Sequence, residues 1–158
     1  MSERAKARAR GLFKRPGFLL RRLHQIYVAI YLQECERFGT TPVQSSVLQV
    51  LLLEPGIDQA TLGVTIGIDR TTASTVLARL EKRGLVRREA TDEDRRVRRA
   101  FLTPQGEAMV EEMQGALEAA HARLVAPLPA AERADFIRKL TRLVESNNDE
   151  GRTELRNL

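Results

Sequence analysis

The chain has 158 residues, of which 42% are apolar, enough for one domain with a helical extension and too many for disorder throughout. Its 26 Lys and Arg exceed its 21 Asp and Glu by a formal charge of +5, and the pI near 10.0 points to an anionic partner if the excess is clustered. One cysteine, Cys35, excludes an intramolecular disulfide and a thiolate zinc site, and suits a reducing cytoplasm. No run approaches the ~18 to 20 apolar residues that span a bilayer, so no membrane partner is expected.

The charge is clustered. Arg4, Lys6, Arg8, Arg10, Lys14, Arg15, Arg21 and Arg22 crowd the start of the chain against the single acid Glu3. Residues 1–17 form a basic extension, read as an arm for phosphate contacts, a segment packed over the dimer region or a solvated tail, ending at the breaker pair Pro16-Gly17. A long helix is expected from about Phe18 to Phe38, stopped by Gly39 and Pro42. It carries two stripes at helical spacing: Leu19, Leu23, Ile26 and Ile30 on one face, and Leu20, His24, Tyr27, Tyr31, Cys35 and Phe38 on the next. A helix apolar over so wide an arc needs cover on two sides.

Pro42 in a first-turn position starts a second helix carrying Val47, Leu48, Leu51 and Leu52, ended by Glu54-Pro55-Gly56. Asp58 caps a short helix to about Val64. After the Ile66-Gly67-Ile68 turn, Asp69 caps a helix to about Arg83, with Gly84 as its stop. Val76, Leu77 and Leu80 form its buried stripe, so Arg70, Thr71, Thr72, Ser74 and Thr75 face outward, with Arg79 further along. Threonine is a poor helix former, and a threonine-rich exposed front needs a reason beyond solubility. Short hydroxyls beside one arginine fork suit phosphates and base edges.

Strands at Leu85–Glu89 and Val97–Leu102 enclose the charged tip Ala90-Thr91-Asp92-Glu93-Asp94-Arg95-Arg96. Arg95 or Arg96 at that tip suits a narrow minor groove, with Arg98 at its base and the acids bracing the arginines. Helix, then basic hairpin, reads as a winged helix-turn-helix: a mainly α fold with a small β-hairpin wing, whose partner is duplex DNA. Two further helices follow, Pro104 to about Val125 and Ala130 to about Ser146. Their stripes are Met109, Val110, Met113, Leu117 and Leu124, then Phe136, Ile137, Leu140, Leu143 and Val144. A winged core does not need both. Pairing them with Leu19, Leu23, Ile26 and Ile30 of a second copy predicts a two-fold homodimer.

Asp69-Arg70-Thr71-Thr72, Leu80-Glu81-Lys82-Arg83-Gly84-Leu85-Val86, Asp92-Glu93-Asp94-Arg95-Arg96 and Leu102-Thr103-Pro104-Gln105-Gly106 together resemble the MarR family of bacterial transcription regulators. The resemblance runs from about Phe18 to Asn147. It implies a dimerisation region at residues 18–40 and 104–147, a DNA-binding domain at 41–103, and a tail at 148–158. It also implies a pseudo-palindromic operator and repression relieved by a small aromatic acid. An effector between dimerisation region and wing would meet Tyr27 and Tyr31 as stacking rings, and His24, Arg15 or Arg22 as carboxylate partners. A hydroxybenzoate or a hydroxylated pyridine carboxylate suits that lining.

The two tyrosines read equally well as core residues with satisfied hydroxyls. Two other functions stand beside a ligand-released repressor: an oxidant sensor acting through Cys35, and a constitutive architectural DNA-binding protein. Cys35 sits near the end of its helix between Glu34 and Glu36, whose charges raise a thiol pKa, against a redox role. No phosphate-cradling glycine loop or catalytic cluster appears, with His24 and His121 the only histidines, so neither enzyme nor cofactor is expected. His121 reads as a helix-surface group.

Overall fold

The computed structural model describes residues 11–90, 97–151, 153 and 155. Six α-helices lie in this span: α1 (Pro16–Glu34), α2 (Pro42–Leu53), α3 (Gln59–Ile66), α4 (Arg70–Lys82), α5 (Pro104–Val125) and α6 (Ala130–Ser146). With them are three strands, β1 (Ile57–Asp58), β2 (Val86–Ala90) and β3 (Arg98–Leu102), in the antiparallel order β1-β3-β2. Val86 pairs with Leu102, Arg88 with Ala100 and Ala90 with Arg98. The fold is the mainly helical winged architecture expected, and no helix among the described residues is long and apolar enough to cross a membrane.

Helix starts follow side-chain chemistry. Thr41 and Gln44 form a reciprocal capping box: the Gln44 amide donates to Thr41 Oγ1 (3.3 Å) and the Thr41 amide to Gln44 Oε1 (3.0 Å). Asp58 Oδ1 accepts from the Ala60 and Thr61 amides at 2.9 and 3.0 Å, and Asp69 Oδ1 accepts from the Thr72 amide at 2.8 Å. Gly67 closes α3 with φ 70°, a left-handed conformation costly for residues with a Cβ.

The winged core gathers Val47, Leu48, Leu51, Leu62, Leu77, Leu80, Leu85, Val86 and Val110, all at most 2% exposed. Tyr31, Cys35, Phe38, Met113 and Leu117 form a second cluster where α1 crosses α5. At about 2 kcal/mol per fully buried large aliphatic side chain, the first cluster dominates the stability of the DNA-binding unit.

Two expectations change, and a third point concerns the face left outside. The first helix ends at Glu34 rather than Phe38: Cys35 leaves helical geometry, and a 3-10 turn at Glu36–Phe38 runs into Gly39 at φ 58°. That tighter turn buries Phe38. Second, the stripe of α5 is not left for a partner, because Val110, Met113 and Leu117 are buried within their own chain. Third, α6 has no buried residue among those described; Ile137, Leu143 and Val144 are exposed, as are Leu19, Leu20 and Ile26 on α1. Among the described residues, the apolar face left outside is therefore that of α6 and the first half of α1.

Candidate nucleic-acid interface

Ala73, Val76, Leu77 and Leu80 bury one side of α4 and thereby turn the other outward. Arg70, Thr71, Thr75 and Arg79 are exposed, and Thr72 and Ser74 are partly so. With 13 residues the helix is about 20 Å long and fits a major groove about 12 Å wide. A groove of about 510 Å³ lies between α4 and the wing, lined by Gln59, Arg70, Thr71, Ser74, Arg88 and Arg98. Arg70 and Arg98 also border a smaller hollow beside the start of α3, with Asp58, Gln59, Ala60 and Val97.

Arg88 donates through Nε (3.0 Å) and Nη2 (2.5 Å) to Glu81 Oε2, with its side chain 13% exposed. The bonds to Arg88 hold the Glu81 carboxyl below the ordinary carboxylate value against the opposing effect of desolvation. Charge at the groove wall is thus fixed in place. Elsewhere on the wing, Arg87 stacks over Phe101 with its guanidinium carbon 4.3 Å from the ring centroid.

The threonines divide by role. Thr72 Oγ1 donates to Asp69 Oδ2 at 2.8 Å, so this hydroxyl is turned back into the cap. Thr75 Oγ1 donates to the Thr71 carbonyl at 3.0 Å and keeps its lone pairs for an outside donor. Thr71 and Ser74 line the groove directly. Arg95 and Arg96 lie outside the described residues. Gln59 and Arg88 were missed by sequence reasoning. The N1 position of α3 beside α4 was the available signal for Gln59; the strand alternation that places Arg88 and Ala100 opposite each other was the signal for Arg88.

On α1 the expected ligand residues separate by burial. Tyr31 is fully buried, and its hydroxyl lies 2.8 Å from Thr40 Oγ1. Burial raises its pKa, opposed by hydrogen bonds from Thr40 and Ser45. Tyr27 is partly buried; its hydroxyl is 3.1 Å from His121 Nε2 and its ring stacks on that imidazole at a 5.7 Å centroid distance. His121 is thus an α1–α5 contact as well as a surface group. His24, Arg15 and Arg22 are exposed, with Arg22 donating to Gln25 Oε1 at 3.4 Å. None of these residues lines the 280 Å³ hollow at the base of α5, bordered by Arg37, Phe38, Gln105, Ala108, Met109 and Glu112. Burial pushes the Cys35 thiol up, with Glu34 adding to the rise and a hydrogen bond to Tyr31 opposing it.

The family model described as MarR family matches residues 38–97. A putative transcriptional regulatory protein for the hcr operon of Thauera aromatica is 32% identical over 111 residues, 70% of this chain and 67% of that protein. Bordetella bronchiseptica BpsR, in a structure addressing how 6-hydroxynicotinic acid regulates its DNA binding, has a TM-score of 0.77 at 31% identity, covering 83% of this chain and 94% of its own. The transcriptional repressor CouR bound to a 23-mer DNA duplex has a TM-score of 0.79 at 28% identity, covering 85% of this chain and 95% of its own. The polar-fronted α4, the wing and the flanking helices occur in this chain over the span these proteins share, and the chain belongs to the MarR family of DNA-binding transcriptional regulators.

Proposed function

We propose that the protein is a homodimeric, sequence-specific repressor that leaves its pseudo-palindromic operator when a small aromatic acid binds. The observation that carries the DNA half of this reading is the groove where Arg70, Thr71 and Ser74 of α4 face Arg98 of the wing. Arg70, Thr71 and Ser74 are the base and phosphate readers, Thr75 and Arg79 the flanking phosphate contacts, and Arg95, Arg96 and Arg98 the wing contacts. Thr72 serves by holding the cap that orders them. Residues 41–103 are the DNA-binding unit, and residues 18–40 with 104–147 the dimerisation region. The exposed apolar residues of α1 and α6 support the second copy: Leu19, Ile137 and Leu143 are each at least half exposed in a single chain.

The effector site of this reading is the seam of α1 and α5 at His24, Tyr27 and His121, with Arg15 and Arg22 supplying cations toward a carboxylate. A phenol, two imidazoles and nearby guanidinium groups suit a ring that bears a hydroxyl and an acid group, and BpsR, a relative of similar fold, responds to 6-hydroxynicotinic acid. Tyr31 serves as the floor, since its hydroxyl is bound to Thr40. The oxidant-sensor alternative is disfavoured by the burial of Cys35, which raises its thiol pKa and shields it from oxidants.

Sedimentation of the full chain with duplex DNA from its own upstream region, before and after a panel of hydroxybenzoates and hydroxypyridine carboxylates, tests the reading. Two chains per duplex, released by one such acid and still released in Cys35→Ser, are expected. One chain per duplex overturns the dimer. Binding unmoved by every acid overturns the effector class, and equal binding to unrelated duplexes favours the architectural alternative.

A further inference from the structure

The C-terminal end of α4 is tied at once to the turn that follows α1 and to the start of α5, the two parts of the arm formed by α1 and α5. Arg83, its C-cap, donates through Nη2 to the Phe38 carbonyl at 2.7 Å and through Nη1 to the Gly39 carbonyl at 2.8 Å. One residue on, the Gly84 carbonyl accepts from Thr103 Oγ1 at 2.6 Å, and the Leu85 carbonyl accepts from the Thr103 amide at 3.1 Å. Thr103 is the N-cap of α5, and Phe38 closes the turn that follows α1. The end of α4, the turn that follows α1 and the start of α5 therefore meet at Arg83-Gly84-Leu85.

The carbonyls that Arg83 grips are themselves fixed. Phe38 is 5% exposed in the cluster of Tyr31, Cys35, Met113 and Leu117, and Thr40, two residues on, holds the Tyr31 hydroxyl. Gly39 takes φ 58°, which turns the chain so that two successive carbonyls face one guanidinium. An arginine fork spans both oxygens, whereas an ammonium is a point charge without that geometry. Because Nη1 and Nη2 each donate to one of these carbonyls, the guanidinium is held at the joint and Arg83 can shape DNA recognition without touching DNA.

We propose that Arg83 is a positioning residue that fixes the angle between the arm and the recognition helix, and thereby the separation of the two half-sites that a dimer reads. The inference rests on the dimer proposed above. A tilt of about ten degrees at this joint moves the far end of a 20 Å helix by about 3 Å, roughly one base-pair step. Loss of the fork therefore relaxes tolerance to half-site spacing more than it weakens contact with DNA as such.

The test uses the full chain and the two-fold duplex that it enriches best from a random 30-base-pair library, together with derivatives carrying one base pair inserted or removed at the centre. Affinities of wild type, Arg83→Met and Arg83→Lys are read by anisotropy, with thermal unfolding as a fold control. For wild type, either change in spacing should cost about tenfold or more. In both variants that penalty should shrink to about threefold or less, with affinity for an unrelated duplex within about twofold of wild type for the lysine variant, which keeps the charge. A penalty unchanged in Arg83→Lys overturns the inference alone, and this variant decides the matter should Arg83→Met fail to fold. Enrichment of no two-fold duplex overturns the dimer reading and the inference with it.

Discussion

Asp58 and Asp69 each begin a helix, and each carboxyl is held below its ordinary value of 3.8. At Asp58 burial opposes the shift and is outweighed by the Thr61 hydroxyl and the Thr61 and Ala60 amides; at Asp69 the Thr72 amide leads, followed by its hydroxyl. A carboxyl whose folded pKa lies below its unfolded one contributes its full stabilisation above the unfolded value and loses it as pH falls through the folded value. Stability to urea should therefore decline on acidification from about pH 5 through the range below the ordinary carboxylate value. Asp58→Ala should cost about 1 kcal/mol at neutral pH and make that decline shallower; an acid limb as steep as the wild type's would contradict this. Caps were legible as single letters in the sequence, but the division of labour among the threonines was not. Thr72 was grouped with the DNA readers because it shares their type, while its place three residues after the cap commits its hydroxyl to Asp69.

At the scale of elements, the two motif segments flanking the wing are explained by one joint. Gly84 takes φ 72°, and a Cβ on Gly106 would collide with the Leu85 carbonyl oxygen and lie 3.1 Å from the carbonyl carbon. The first turn of α5 is thus seated on the backbone that leaves α4. Gly106→Ala should lower unfolding stability by about 3 kcal/mol, the upper range for forcing volume into a packed site, with a matching drop in the urea midpoint. Stability within about 0.5 kcal/mol of wild type would show that the contact yields easily. Helix and hairpin existence was readable because burial imposes periods of 3.6 and 2 on the sequence. The two-residue strand β1 was not, since it is too short to display a period and exists through its pairing with β3, Ile57 opposite Ala100 and Asp58 opposite Arg99. Nor was the early end of α1, where the burial of Phe38 accompanies a switch to 3-10 geometry that continues the apolar spacing of the stripe.

Over the whole molecule, apolar surface sorts by destination. The stripe of α5 lies inside its own chain, and that of α6 is left outside with Leu19, Leu20 and Ile26 of α1. The sequence displayed all of these stripes alike, because periodicity reports that a face is buried and not against what. The same limit applied to α1, where His24 and Tyr31 sit two turns apart on one stripe, yet the first is exposed and the second fully buried. In the proposed reading function is distributed correspondingly: α4 reads DNA, the exposed faces of α1 and α6 meet the second copy, and the hydrogen bonds at Arg83-Gly84-Leu85 join the two.

The most direct measurement of the central claim, that the front of α4 reads base sequence, is anisotropy titration of wild type and Arg70→Ala on the upstream duplex and on an unrelated duplex at near-physiological salt. Wild type should prefer the upstream duplex by about a thousandfold or more. Arg70→Ala should lose about 5- to 150-fold on that duplex, the equivalent of 1 to 3 kcal/mol for one base contact, while binding the unrelated duplex within about threefold of wild type. Equal wild-type affinity for both duplexes, or an Arg70→Ala variant that keeps the full preference, would contradict the account.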